Sequence, residues 1–383
     1  MLHALLLILA SLVTYFIVVR RRLIRRMTEQ ELLPAHTLLP SSAAGVEKWL
    51  RERDALAAPI QPGCESSVTW ANGPSNKTGI CVIFLHGWCA SPPELDPVDK
   101  HIATALGANL LRYRYTGHGL RPMERGGEVM LKEQGHEQMR RDAAIAYALG
   151  RQLGGAIVLM GSSTGGSLAI WLSGQAWVRN GSLAALVLVS PGIRLAMPRA
   201  TWLCVGWLLM LLPRAGSRSL LHAINGGKYK RPQMHLLPGA RGEAQARCWT
   251  RVYPFEAVIH IIALYLICGA SAVFESIDAP VLAFANPRDK TVSFAAAREA
   301  VHRMPQGQLE VVEDSENVHV ITGRIASPNT VERIVHVAVE FLERHVAAAS
   351  SRHRVGARRT RSPRKAKPKA AEQDPPVLEG KPV

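Results

Sequence analysis

Ile157-Val158-Leu159-Met160-Gly161-Ser162-Ser163-Thr164-Gly165-Gly166 is the stretch on which the reading of this chain turns. An apolar run suited to a buried strand breaks into Gly-x-Ser-x-Gly, and Ser167 to Trp171 continues as a helix. That succession is the sequence form of a nucleophile elbow. So sharp a turn strains the backbone of Ser163, and Gly161 and Gly165 leave room where a side chain would collide with neighbouring backbone. Thr164 N–H, among the first amides of the helix, is placed to face a developing oxyanion, and the helix dipole favours negative charge there. Gly-x-Ser-x-Gly alone recurs by chance, so the surrounding pattern has to decide.

Outward from the elbow the pattern alternates. Upstream, Ile80 to Leu85 is an apolar run suited to a strand buried on both faces, ending in His86-Gly87-Trp88. Asn109 to Arg114 reads as the next strand, and His136 to Leu153 as an amphipathic helix crossing back to the elbow strand. Downstream, Leu183 to Val189, Pro280 to Ala285 and Leu309 to Glu313 read as strands, and Asn329 to Val346 as a closing helix. Gly45 to Leu56 is a short helix and Cys64 to Ala71 an early strand. Strands alternating with helices predict a parallel sheet covered on both faces.

Three segments together carry a resemblance: Phe84-Leu85-His86-Gly87-Trp88-Cys89-Ala90-Ser91-Pro92, Tyr115-Thr116-Gly117-His118-Gly119, and Gly161 to Gly165. They resemble the carboxylesterase and monoacylglycerol lipase branch of the α/β-hydrolase superfamily, over roughly residues 78–345. The resemblance implies an α/β-hydrolase fold, with a helical cap inserted after the sixth strand, and a serine ester hydrolase. It also implies that Trp88 N–H joins Thr164 N–H as the oxyanion hole. Asp289, just past the strand Val281 to Ala285 and three residues before Val292, resembles the family's triad acid. His319, in Asn317-Val318-His319-Val320 after the last strand, stands where the family carries its catalytic histidine. The chain order Ser163, Asp289, His319 is the α/β-hydrolase order. His302 and His336 fall within helical patterns, and His118, within Gly-His-Gly, reads as shaping a loop.

Charge and cysteines narrow the partners. The formal net charge is +16, but ten Lys/Arg against three Asp/Glu in residues 350–383, and five arginines within Arg20 to Arg26, hold most of the excess. The body shows no basic groove interleaved with aromatics, so a nucleic-acid partner is not expected. Cys64, Cys81, Cys89, Cys204, Cys248 and Cys268 are widely spaced with no Cys-x-x-Cys, which fits a reducing compartment without a disulfide framework. There is no Gly-x-Gly-x-x-Gly at a strand end, no P-loop and no metal triad, so no cofactor is expected.

The two ends suggest a membrane. Leu2 to Val19 holds eighteen residues without Asp, Glu, Lys or Arg. As a helix it would be about 27 Å long, close to one bilayer core. The arginines follow it rather than precede it, and no small-x-small cleavage site comes after, so it reads as an uncleaved transmembrane anchor. By the positive-inside rule the arginine cluster and the body face the cytoplasm. Ser350 to Val383, rich in Arg, Lys, Pro and Ala and lacking aromatics, is expected to stay disordered and to suit anionic headgroups.

The layout expected from these readings is an anchor with its basic flank (1–26), a linker with the first elements (27–77), the first part of the core (78–190), a cap region with a crossover helix (191–279), the second part of the core (280–349) and the tail (350–383). Ninety residues from Ser190 to Ala279 are far more than one crossover helix requires. Within them Thr201 to Leu212, with Trp202 and Trp207, suits an acyl pocket or a bilayer surface. Ala257 to Phe274 reads as a crossover helix packed on the sheet rather than a second span. The expected chemistry is hydrolysis of an acyl or lipid ester by double displacement. An acyltransferase or thioesterase using the same triad, or a binding protein on this scaffold, are the alternatives.

Overall fold

The computed structural model describes residues 39–57, 59–122, 126–129, 135–179, 181–211, 214–224, 237–269 and 271–359. The expected anchor Leu2 to Val19, its arginine cluster and the tail beyond Arg359 lie outside the described residues. Among the described residues no helix is long and apolar enough to cross a membrane.

In chain order the first half runs α1 (Ala43–Ala57), β1 (Ser67–Thr69), β2 (Thr78–Leu85), α2 (Val98–Ala105), β3 (Asn109–Tyr113), α3 (Gly135–Leu153), β4 (Gly154–Ser162), α4 (Thr164–Ser173), the short α5 (Ala176–Arg179) and β5 (Leu183–Val189). An inserted helical region follows: α6 (Arg199–Leu211), α7 (Arg214–Ile224), α8 (Gly239–Cys248), α9 (Val258–Cys268) and α10 (Ser271–Glu275). The chain then returns as β6 (Val281–Ala285), α11 (Phe294–His302), β7 (Gly307–Val311) and α12 (Val331–Arg359).

The seven strands form one sheet in the order β1-β3-β2-β4-β5-β6-β7. Only β1 is antiparallel to its neighbour; all other pairs are parallel. Alternate side chains divide between two cores, as the period of two in a strand requires. Ile83, Leu85, Leu159 and Leu186 face α3, α4 and α9, whereas Val82, Phe84, Met160 and Val187 face α2 and α12. Burial on both faces is why β2, β4 and β5 read as nearly continuous apolar runs.

The structure departs from the sequence-based expectations in four places. The insertion follows the fifth strand of this sheet, not a sixth. The early strand shrinks from Cys64–Ala71 to Ser67–Thr69, because side chains take its flanking amides: Ser66 N donates to Asp54 Oδ2 (2.6 Å) and Ala71 N to Asn109 Oδ1 (3.0 Å). The apolar run from Ala257 to Phe274 is two helices, since α9 ends at its C-cap Gly269 before α10 begins. Apolar all round, α9 is buried among α3, α4 and α6. Finally, α12 runs on to Arg359, into the stretch expected to be unstructured. Alanines and arginines are strong helix formers, and they extend a helix already nucleated on the core.

Candidate active site

The register of the sheet assembles the site. Leu85 at the end of β2 pairs with Gly161 on β4, so His86-Gly87-Trp88 leaves the sheet beside the elbow. Ser163 sits between β4 and α4 at φ 50°, ψ −114°, a left-handed conformation that a non-glycine residue adopts only under constraint. The constraint is visible: Ser163 N donates to Val189 O, and Ser163 O accepts from Gly192 N, both at 2.9 Å. The flanking glycines are obligatory, since a Cβ on Gly161 would fall 2.5 Å from Gly165 O and one on Gly165 would fall 1.9 Å from Leu85 O.

Two later loops bring an acid and a base to this serine. Asp289, in the turn after β6, accepts Thr291 N (2.7 Å) and Val292 N (3.0 Å) on Oδ1, which leaves Oδ2 for His319 Nδ1 at 2.7 Å. His319 Nε2 stands 3.0 Å from Ser163 Oγ. The loop after β7 is held by Asn317, whose Oδ1 accepts His319 N and Val320 N, each at 2.9 Å. The carboxylate of Asp289 cannot donate, so Nδ1 carries the imidazole proton and Nε2 is free to accept from Ser163 Oγ–H. The structure thus brings Ser163, Asp289 and His319 into one hydrogen-bonded line, with the acid buried and the imidazole partly open. Such a line can draw a proton from the serine while the carboxylate supports the resulting imidazolium.

Of the two expected oxyanion donors, Thr164 directly follows Ser163 in the chain and Trp88 lies on the loop that leaves β2 beside the elbow. Thr164 opens α4. Trp88 follows Gly87, where a Cβ would lie 3.4 Å from Ser163 Cβ, and its ring is wedged edge-on between His118 and Tyr253. Thr250 N donates to Cys89 O (2.6 Å), tying the inserted region to this loop. His86 is buried and neutral, its Nδ1 donating to Gly87 O (2.9 Å) and its Nε2 accepting from Tyr115 N (3.2 Å); burial holds its pKa well below the ordinary value. His118 is buried against Tyr115, His86 and Trp88, and burial lowers its pKa to about 4.

Sequence reasoning missed three residues of this site: Asn317's clamp on the histidine loop, and the side chains of Glu94 and Tyr265. Glu94 is 2 % exposed, and its Oε2 accepts Gly87 N at 2.7 Å. Burial pushes its pKa from 4.5 up to about 7, against the opposing pull of the Gly87 amide, His319 and Ser162. Folding therefore takes up a proton between these two values. The stabilisation from the neutral buried carboxyl is complete below pH 4.5 and is lost as pH rises through about 7. Glu94→Gln, which keeps an acceptor for Gly87 N, is expected to flatten the fall in urea midpoint that the wild type shows between pH 5 and pH 8; an identical fall in both proteins would count against it.

Tyr265 comes from α9, and its hydroxyl lies 3.1 Å from Thr164 Oγ1. The signal that could have found it is one tyrosine within the aliphatic run Ile261-Ile262-Ala263-Leu264-Tyr265-Leu266-Ile267, because a buried tyrosine hydroxyl requires a partner. Trp202 is buried with its ring centroid 6.4 Å from that of Tyr265, while the side chain of Trp207 lies outside the described residues. Leu203 and Leu208 of α6 are exposed.

A sequence model of the alpha/beta hydrolase family matches residues 82–322, which span the elbow and both loops. The chain belongs to the α/β-hydrolase family. No curated protein matches it in sequence. Among solved structures, this α/β-hydrolase is similar to a chain from work on LipS and LipT, two metagenome-derived lipolytic enzymes, at 18% identity and a TM-score of 0.56, covering 75% of this chain and 100% of that one. It is also similar to a soluble variant of monoglyceride lipase from Saccharomyces cerevisiae, at 12% identity and a TM-score of 0.49, covering 74% and 92% of the two chains. Identities this low speak to the fold alone.

Proposed function

We propose that this α/β-hydrolase cleaves carboxylic esters bearing an acyl chain, through an acyl-enzyme on Ser163. The observation that carries the reading is the line Asp289 Oδ2, His319 Nδ1, His319 Nε2, Ser163 Oγ, with steps of 2.7 and 3.0 Å, ending at a serine held at φ 50°. His319 takes the serine proton as Oγ attacks the ester carbonyl, and Asp289 orients and supports the imidazolium. The amides of Trp88 and Thr164 hold the oxyanion, a type of contact worth about 3 kcal/mol per donor. His319 passes the proton to the leaving alcohol, then activates the water that releases the acid.

The acyl preference rests on the apolar inserted region, with Trp202 and α9 packed above the elbow and Leu203 and Leu208 facing outward. The membrane part of the proposal rests on sequence. Leu2 to Val19 anchors the protein, the following arginines keep the body on the cytoplasmic side, and the basic tail meets anionic lipid headgroups.

Labelling of the detergent-solubilised full chain with a fluorophosphonate probe tests the central claim. Wild type is expected to label and Ser163→Ala not to label, with hydrolysis faster for acyl than for acetyl esters. Labelling that persists in Ser163→Ala would remove the serine from its role. New ester formed from an added alcohol, in place of free acid, would turn the reading to acyl transfer.

A further inference from the structure

Glu94 is a buried carboxyl that no step of the proposed reaction uses, yet it touches the turn that carries one oxyanion donor. Its Oε2 accepts Gly87 N at 2.7 Å. At the other end of the same residue, Gly87 O accepts from His86 Nδ1 (2.9 Å) and from Ala90 N (3.2 Å). Gly87 O and Trp88 N–H belong to one planar peptide, in which the two bonds point in opposite directions. Holding the carbonyl therefore aims the Trp88 amide away from His86 Nδ1 and Ala90 N, while Glu94 holds the peptide plane before it.

Gly87 needs these outside restraints. As glycine it has the widest backbone freedom in the turn, so hydrogen bonds rather than sterics must fix its conformation. A Cβ there would lie 2.9 Å from Glu94 Oε1 and 3.4 Å from Ser163 Cβ, which shows how closely the carboxyl and the nucleophile flank it. Glu94 is itself set in a braced segment. Its N donates to Ser91 O (3.0 Å), and two residues on, Asp96 O accepts Arg324 N (2.7 Å) while Asp96 Oδ1 meets Arg112 Nη2 at 2.8 Å. The segment is thereby tied both to β3 and to the loop that follows His319.

We infer that Glu94 is a positioning residue for the oxyanion hole: by accepting Gly87 N–H it holds the His86-Gly87-Trp88 turn in the conformation that presents Trp88 N–H to the oxyanion. The inference rests on the ester-hydrolase reading above and deepens it. The action is indirect, since no bond or proton changes hands at this carboxyl. Either protonation state offers Gly87 N an acceptor oxygen, so the acceptor and its reach matter more than its charge. The oxyanion forms only as the reaction proceeds, so a misplaced Trp88 amide lowers kcat and leaves KM nearly unchanged.

Steady-state kinetics with p-nitrophenyl butyrate on the detergent-solubilised full chain tests this with three variants. Glu94→Met keeps length and bulk but has no oxygen, and is expected to lower kcat by about 10- to 100-fold with KM within about twofold. Glu94→Gln, which keeps an acceptor at the same reach, is expected to hold kcat within about threefold. Glu94→Asp, its carboxyl drawn back by one methylene, is expected to fall with the Met variant, and it carries the test if that variant does not fold. The Ki of a trifluoromethyl ketone, which forms an oxyanion adduct on a serine, should rise by the factor by which kcat falls. Full kcat in a folded Met or Asp variant would overturn the inference. So would a Gln variant as slow as Met, or a rise in KM in place of the fall in kcat. Fluorophosphonate labelling of the wild type keeps the two readings apart. Without labelling of Ser163 the ester-hydrolase reading fails and takes this inference with it; labelling beside unchanged kinetics of the Met variant removes only the role of Glu94.

Discussion

His319→Ala is expected to reduce kcat/KM for a carboxylic ester by about 10,000-fold or more, while the protein keeps its fold. His319 Nε2 is 3.0 Å from Ser163 Oγ and, in the proposed mechanism, takes its proton. Without it the serine hydroxyl must attack at its ordinary, weak nucleophilicity, and the residual rate comes from binding and the oxyanion amides. The fold should survive because the ring is partly open and its loop is held by the side chain of Asn317 and the hydroxyl of Ser327, which accepts Asn317 N at 2.8 Å. Initial rates, with near-ultraviolet circular dichroism as a check on packing, measure this directly. A folded variant retaining more than about one hundredth of the activity would mean that another group takes the proton.

Gly165→Ala is expected to destabilise the protein by about 3 kcal/mol or more and to remove activity with it. The added Cβ would stand 1.9 Å from Leu85 O, 2.5 Å from Leu85 C and 2.6 Å from His86 O. All three are backbone atoms of the strand and loop that lead to Trp88, so no side chain can swing aside. Relief requires α4 to move away from β2, which separates Thr164 from Trp88. Gly79, also on β2, provides the control, since a Cβ there meets nothing within 4 Å. Gly79→Ala is expected to shift stability by less than about 0.5 kcal/mol. Urea midpoints for the two variants test the pair; equal midpoints would show that the elbow tolerates a Cβ after all.

These two substitutions also show why this fold was legible in one dimension. The elbow needs glycine on both sides of its serine because two backbones approach closely there, and that need is written in residue type at fixed spacing. Strands buried on both faces must be apolar throughout, so β2, β4 and β5 announced themselves, and helices crossing between them implied the parallel order. Asp289 and His319 were legible through the family resemblance, which implies an acid and a histidine in the loops after two late strands, β6 and β7. Strand limits were less legible where side chains compete for backbone amides, as Asp54 and Asn109 do at the ends of β1.

The sequence by itself therefore determined the class of fold, the sheet strands that matter and the residue types that the chemistry needs, because close backbone approach and burial restrict which amino acids a position can hold. Only the tertiary structure decided which distant groups meet. Glu94 under the Gly87 amide, Asn317 against the histidine loop, and Tyr265 reaching Thr164 across the space left by Gly192 depend on contacts between elements far apart in the chain. No local periodicity encodes such contacts: a tyrosine in a buried helix looks like any core residue until the helix has packed and its hydroxyl has found a partner.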